Sequence, residues 1–186
     1  MKLPSSAKEI IDWIENGGNP AFIYFWEPTP SPDGQITASC LCQWWPSPFE
    51  LEGQVYPTAE HYMMAEKARL FGDHETARRI LAALTPSEAK ALGRTVAGFD
   101  NSIWKSHRFE IVVRGNEAKF RQHPILLDYL LSTGYRILVE ASPVDPIWGI
   151  GLAENDQNAG VPYAWKGLNL LGFALMEVRE TLRSDQ

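Results

Sequence analysis

Glu60 and Lys67 lie seven residues apart in a segment of helical period, hence on one face two turns apart, ~10.5 Å along the axis, with Met64 between them. A carboxylate and an amine leaning across one apolar residue can meet over a pocket and exchange protons. The same spacing also describes a solvated face with a loose charge pair. Asp145 and Asn155-Asp156 fall in a glycine-rich stretch with Trp148, a composition that suits binding residues and plain turns alike. Seven tryptophans supply flat apolar faces on which a heterocycle stacks, or simply fill the core. Metal chemistry finds no support. Glu60-His61 has no second histidine four residues on, and Cys40-x-Cys42 has no second pair. No cofactor motif is present either: Gly149-Ile150-Gly151 has Glu154 where a third glycine would stand, and no nucleophile elbow or phosphate-cradling loop occurs.

These residues need elements to position them. The 186 residues suit one domain, and 45% hydrophobic with 22% charged residues is an ordinary globular balance. A formal charge of −6 argues against a long nucleic-acid footprint, while leaving room for a small basic pocket that meets a phosphate. No run approaches the ~20 apolar residues of a membrane span, and the N-terminus has no apolar signal stretch. Two cysteines suit a reducing compartment, so the expectation is a soluble, cytoplasmic, single-domain protein without membrane contact.

Ser6-Ala7-Lys8-Glu9 reads as a capping box opening a helix that Gly17-Gly18 ends. Residues 21–26 and 35–45 read as strands, and Glu52-Gly53 as the turn of a short hairpin. Thr58 is the N-cap of a helix running to Phe71, with Gly72 as its stop. Short helices are predicted at 73–84 and 86–92. A long one at 101–122 aligns Trp104, His107 or Arg108, Ile111 and Ala118, and is weakened by Gly115 at a cost of ~1 kcal/mol. A helix opened by Pro124, a strand at 136–140, a loop at 145–161 and a last helix at 170–183 complete the chain. The class is α+β, predominantly helical, with a small antiparallel or mixed sheet.

Pro57-Thr58-Ala59-Glu60-His61-Tyr62, with Ala65-x-Lys67-Ala68 on the same helix, resembles the signature helix of the NADAR (YbiA-like) family. The resemblance continues in order through Leu92-Gly93-Arg94, Trp104, Lys119-Phe120 and Leu138-Val139-Glu140-Ala141. It then takes in Asp145-x-x-Trp148-Gly149-Ile150-Gly151, Asn169-x-Leu171-Gly172 and Leu175-Met176-Glu177-x-Arg179. It spans about residues 22–182, leaving the helix at 5–17 as an addition. The chain departs from the family with Cys42-Gln43-Trp44 for Ser-Asn-Phe, Arg108 for a lysine, Val113 for a methionine, and a longer run at 152–165.

The resemblance implies an N-glycoside hydrolase that needs no metal or cofactor. It cleaves a ribosyl C–N bond to an exocyclic amine on a flat heterocycle. The substrate is ADP-ribosyl-guanine, free or in nucleic acid, or a phosphorylated ribosylamino-pyrimidine of riboflavin biosynthesis. On this reading Glu60 is the acid/base, Asp145 a second carboxylate that orients ribose hydroxyls or supports the cation, and Lys67 a charge partner of Glu60 or a nucleophile. Trp44, Trp104 and Trp148 are walls for heterocycle or ribose, or core. Arg94 meets a phosphate or closes a helix end, and Asn169 bonds a ribose oxygen or caps the last helix. His61, Tyr62, Gly149 and Gly151 complete the expected substrate-binding set. Two other classes compete: a non-catalytic module binding ADP-ribose or a nucleotide, and an interaction protein whose aromatics serve a partner. A binder would need the aromatic walls and Arg94 but not a Glu60–Lys67 pair.

Overall fold

A computed structural model describes residues 3–185. In chain order these form α1 (Ala7–Glu15), β1 (Phe22–Phe25), β2 (Phe49–Leu51), β3 (Gln54–Tyr56), α2 (Ala59–Leu70), α3 (His74–Leu81), α4 (Pro86–Gly93), α5 (Asn101–Gln122), α6 (Pro124–Ser132), β4 (Ile137–Glu140) and α7 (Leu170–Ser184). The class is α+β and mostly helical, as the periodicity predicts. The chain divides into two compact units: Gln43–Pro124 is one, and the segments before and after it make the other.

The Gln43–Pro124 unit is built around α2, which buries eight of its residues and packs against α3, α4 and α5. Each of its helices starts where a short polar side chain takes up an orphan backbone N–H. Thr58 accepts from His61, Asp73 from Thr76, Thr85 from Glu88, and Asp100 from both Ser102 and Ile103. Gly115 stands in the middle of α5 for a packing reason. A Cβ there would lie 2.3 Å from the Tyr62 ring, so the glycine that weakens the helix also admits α2. The β2–β3 hairpin turns through Glu52 and Gly53, both at positive φ (54° and 77°), the mirror-image turn that suits strand twist.

In the other unit β1 and β4 pair in parallel, with Phe22 opposite Ile137 and Phe25 opposite Glu140. The strands thus form two small two-stranded sheets, β1–β4 parallel and β2–β3 antiparallel. α7 packs on β4, and the approach is close because Gly172 lacks a side chain: a Cβ there would meet the Leu138 carbonyl at 2.1 Å. α1 begins with the expected capping arrangement: Ser6 accepts from the Glu9 N–H, and the Glu9 carboxylate takes the Ser5 N–H at 2.8 Å. Its Ile10 is fully buried, and the helix packs on a 3₁₀ turn at Pro162–Ala164, where the Tyr163 hydroxyl donates to Glu15 at 2.5 Å.

One expected strand is absent. Within residues 35–45, Ala38–Leu41 instead form a 3₁₀ turn, because the Thr37 hydroxyl accepts the Ser39 N–H and offers the backbone a local alternative to a ladder. Cys40 and Cys42 are therefore not a pair on one strand face; both are buried. No helix among the described residues is long and apolar enough to cross a membrane.

Candidate active site

Lys67 lies in the last turn of α2, half-buried. Its Nζ donates to the Gly93 carbonyl at 2.7 Å and sits 4.3 Å from the centre of the Phe99 ring and 5.8 Å from that of Trp104. Gly93 ends α4, so its carbonyl is one that the helix leaves without an internal partner, at the negative end of the dipole. Two effects oppose that attraction: burial first, then the Arg94 charge, hold the Lys67 pKa below that of an ordinary lysine. Lys67 thus takes a carbonyl and a ring where the spacing suggested Glu60. Its environment favours loss of a proton, the state in which an amine is nucleophilic. Arg94 itself is exposed at the α4 C-terminus, with its backbone closing the helix.

Glu60 occupies the first turn of α2, where the helix dipole favours a carboxylate, and is only 2% exposed. Its backbone N–H donates to the Gln43 carbonyl at 3.1 Å, and the Gln43 side chain accepts from Asn116 Nδ2 at 2.9 Å. Asn116 also donates to the Val112 carbonyl one turn back on α5. Gln43 therefore ties the start of α2 to the middle of α5. Along α5 the residues Arg108, Val112, Asn116 and Lys119 recur at helical spacing on one face, and all four are buried. The ambiguity between His107 and Arg108 resolves here: Arg108 is buried, whereas His107 is exposed and bonds back to the Ile103 carbonyl. Burying Glu60, Arg108 and Lys119 in one small unit is costly in a plain core.

His61 and Tyr62 face the interior. The His61 ring bonds to the Thr58 hydroxyl through Nδ1 (2.8 Å) and to the Ala83 carbonyl through Nε2 (3.2 Å), and burial lowers its pKa. Both nitrogens are thereby spent on holding the start of α2. Tyr62 stands edge-on to Tyr56 at 5.0 Å beside Phe49, and burial pushes its hydroxyl pKa well up. Trp104 is buried behind Lys67, and half-buried Trp44 has Lys90 Nζ 5.9 Å from its ring. Phe99 is the residue of this group that the sequence reading missed. Its signal lay in the sequence Gly98-Phe99-Asp100, an aromatic set between a positive-φ glycine and a helix cap.

The remaining expected residues gather in the other unit. The Asp145 carboxylate accepts the N–H groups of Ile147 and Trp148, both at 2.9 Å, which makes a tight turn. Gly149 and Gly151 belong to a hydrogen-bonded back-to-back segment: Ile150 donates to the Glu140 carbonyl, Lys166 to Ile150, and Asn169 to Gly149. The Asn169 side chain does not cap the last helix as one expectation had it. Its amide bridges β4, accepting from the Glu140 N–H and donating to the Leu138 carbonyl, each at 2.9 Å, and makes no cap bond to α7. A left-handed backbone (φ 53°) aims it there. Trp148 is half-buried on the turn. Among the described residues no group of three or more His, Cys, Asp or Glu side chains is arranged to hold a metal ion.

Several known proteins are similar to this chain in sequence and fold. An N-glycosidase of Acanthamoeba polyphaga mimivirus, R617, is 46% identical over 152 residues, covering 78% of this chain and 89% of its own length. The N-glycosidase YbiA of Escherichia coli is 34% identical over 139 residues, 75% of this chain and 78% of YbiA. Its NMR structure superposes with a TM-score of 0.70 at 28% identity, over 90% of this chain and 88% of that one. A chloroplastic riboflavin biosynthesis protein of Zea mays, PYRR, is 36% identical over 135 residues, 68% of this chain but 20% of that longer protein. The NADAR domain family model matches residues 24–183, which begin inside β1 and leave α1 outside. With the ordered motifs, the fold and this match in agreement, the chain belongs to the NADAR family.

Proposed function

We propose that this chain is an N-glycoside hydrolase that cleaves the bond between a phosphorylated ribose and the exocyclic amine of a flat heterocycle. Kinship with proteins named N-glycosidases supports the class of reaction. The observation that carries the chemistry is the Lys67 amine, half-buried between Phe99 and Trp104, with its ammonium form disfavoured by burial and by Arg94.

A ribosylamine opens its sugar ring to an imine at the anomeric carbon. The neutral Lys67 amine adds to that carbon, and a proton passes from the attacking nitrogen to the departing one. The heterocyclic amine leaves, and the sugar is held as a Schiff base on Lys67. Water then adds to the same carbon, and collapse returns the lysine amine and releases the sugar as its aldehyde, which recloses. Each half needs a proton taken and given, and Glu60 on the same helix is assigned that task. Arg94, exposed beside the amine, is assigned to the phosphate.

The substrates to be tested are a phosphorylated ribosylamino-pyrimidine and ADP-ribosyl-guanosine, incubated side by side while sugar release is followed. The riboflavin-related name of the maize relative favours the first. Borohydride added during turnover traps a sugar adduct, which mass spectrometry places on Lys67. Absence of any adduct, together with substantial activity in Lys67→Arg, rejects the covalent route, because arginine keeps the charge and lacks the nucleophile.

A further inference from the structure

We propose that Phe99 is the specificity-determining residue of the Lys67 site, its exposed ring stacking on the flat heterocycle that leaves, with Ile103 completing an apolar rim. This rests on the reading of Lys67 as the reacting amine. Two aromatic rings flank that amine, and they differ in one respect. Trp104 is 8% exposed and serves as floor, whereas Phe99 is 44% exposed although it is the nearer ring. Ile103, one turn further along, is 45% exposed.

An exposed phenylalanine alone is unremarkable. Phe99 differs because the chain on both sides of it is anchored. Before it, the Ala97 N–H is held by Asp73 Oδ2 at 2.9 Å; after it, Asp100 takes the N–H groups of Ser102 and Ile103 at 2.8 and 2.9 Å. Phe71 crosses the ring at 64° with centres 5.3 Å apart, which fixes its plane. The ring is therefore preset, and a ligand that stacks on it loses little to ordering the protein. A flat heterocycle is the chemical class that fits a fixed aromatic face beside an amine. A sugar or an alkylamine has no such face to offer.

The experiment compares Phe99→Ala, Phe99→Leu and Phe99→Trp with the parent enzyme. Phe99→Ala is expected to raise KM roughly ten- to hundredfold, the range of losing one base–aromatic stack, with a smaller change in kcat. Phe99→Leu keeps apolar bulk without a π face and is expected to resemble the alanine variant, while Phe99→Trp restores KM. Guanosine binding, read by titration calorimetry or ligand NMR, is expected to weaken in the same order without any turnover. Unchanged KM and guanosine binding in Phe99→Ala would overturn the proposal, as would a leucine variant equal to the parent. Borohydride trapping on Lys67 is run in parallel. An adduct that persists while the Phe99 variants show no effect sinks the stacking proposal alone, and loss of the adduct in the parent enzyme sinks the reading beneath it.

Discussion

Lys67 in one unit and the Asp145 and Asn169 side chains in the other hold their polar groups in opposite ways. In Gln43–Pro124, Lys67 keeps one carbonyl bond in surroundings that disfavour its charge. In the other unit, the Asp145 carboxylate and the Asn169 amide are occupied by backbone groups at ordinary hydrogen-bond distance. The first arrangement leaves free energy to be released when a proton or a ligand arrives. The second fixes a backbone path. Reactivity follows incomplete solvation, and shape follows complete satisfaction.

The sharpest way to break this contrast is Glu60→Gln. The amide is isosteric and the helix start keeps Thr58 as its cap, so the variant is expected to fold with an unchanged circular dichroism spectrum. Turnover should fall by ~100-fold or more, as for loss of a general acid/base. Wild-type rates on a confirmed substrate would remove Glu60 from the mechanism. Next in size is Asn169→Ala, which leaves the Glu140 N–H and the Leu138 carbonyl without the amide that now bridges them. Urea unfolding should report a loss of about 2 kcal/mol. A loss below experimental error would mean that the bridge is dispensable.

A smaller effect concerns His61 and pH. Burial lowers its pKa below the ordinary histidine value of 6.5, so the neutral ring contributes stability that is fully present above pH 6.5. As pH falls from 6.5 towards the lowered native value, the unfolded chain binds a proton that the native chain refuses, and stability declines. The slope from this one group is at most ~1.4 kcal/mol per pH unit. His61→Gln should be less stable at pH 7 yet flatter between pH 7 and 5 in matched urea titrations; an equally steep profile would place the acid sensitivity elsewhere. The smallest change in stability is expected for Asp145→Asn. An amide oxygen can still accept both N–H groups of the turn, so unfolding midpoints should stay within about 0.5 kcal/mol of the parent. A large drop in turnover at that unchanged stability would assign the charge itself to the reaction.

The sequence carried the helices well because their ends are local: Thr58, Asp73, Thr85 and Asp100 each announce a start by a bond to a residue two or three positions on. The hairpin was readable for the same reason. What could not be read were contacts made across long separations. The partner of Lys67 is a carbonyl 26 residues away, and the Asn169 bridge reaches 29 and 31 residues back along the chain. Residues 35–45 misled because β-branched and aromatic content spoke for a strand while Thr37 formed a local cap. Helical spacing singled out Glu60 and Lys67 and family resemblance suggested their roles, whereas Phe99, outside every quoted motif, came forward from its position by the amine.

The parallel pairing of β1 with β4 has a consequence for synthesis. Phe22 finds its strand partner at Ile137, more than a hundred residues later, whereas the Gln43–Pro124 unit is continuous in the chain. During translation that inner unit is complete while β4 and α7 are still unmade. At ~5–20 residues per second, the roughly 115 residues from Phe25 to Glu140 keep β1 waiting for about 6–23 s. Through that interval Phe22-Ile23-Tyr24-Phe25-Trp26 is an unpaired apolar edge on a nascent chain, the kind of segment that chaperones hold and that aggregates when they do not. A ribosome stalled before Ile137 would therefore carry a complete Gln43–Pro124 segment while β1 still lacked its partner strand.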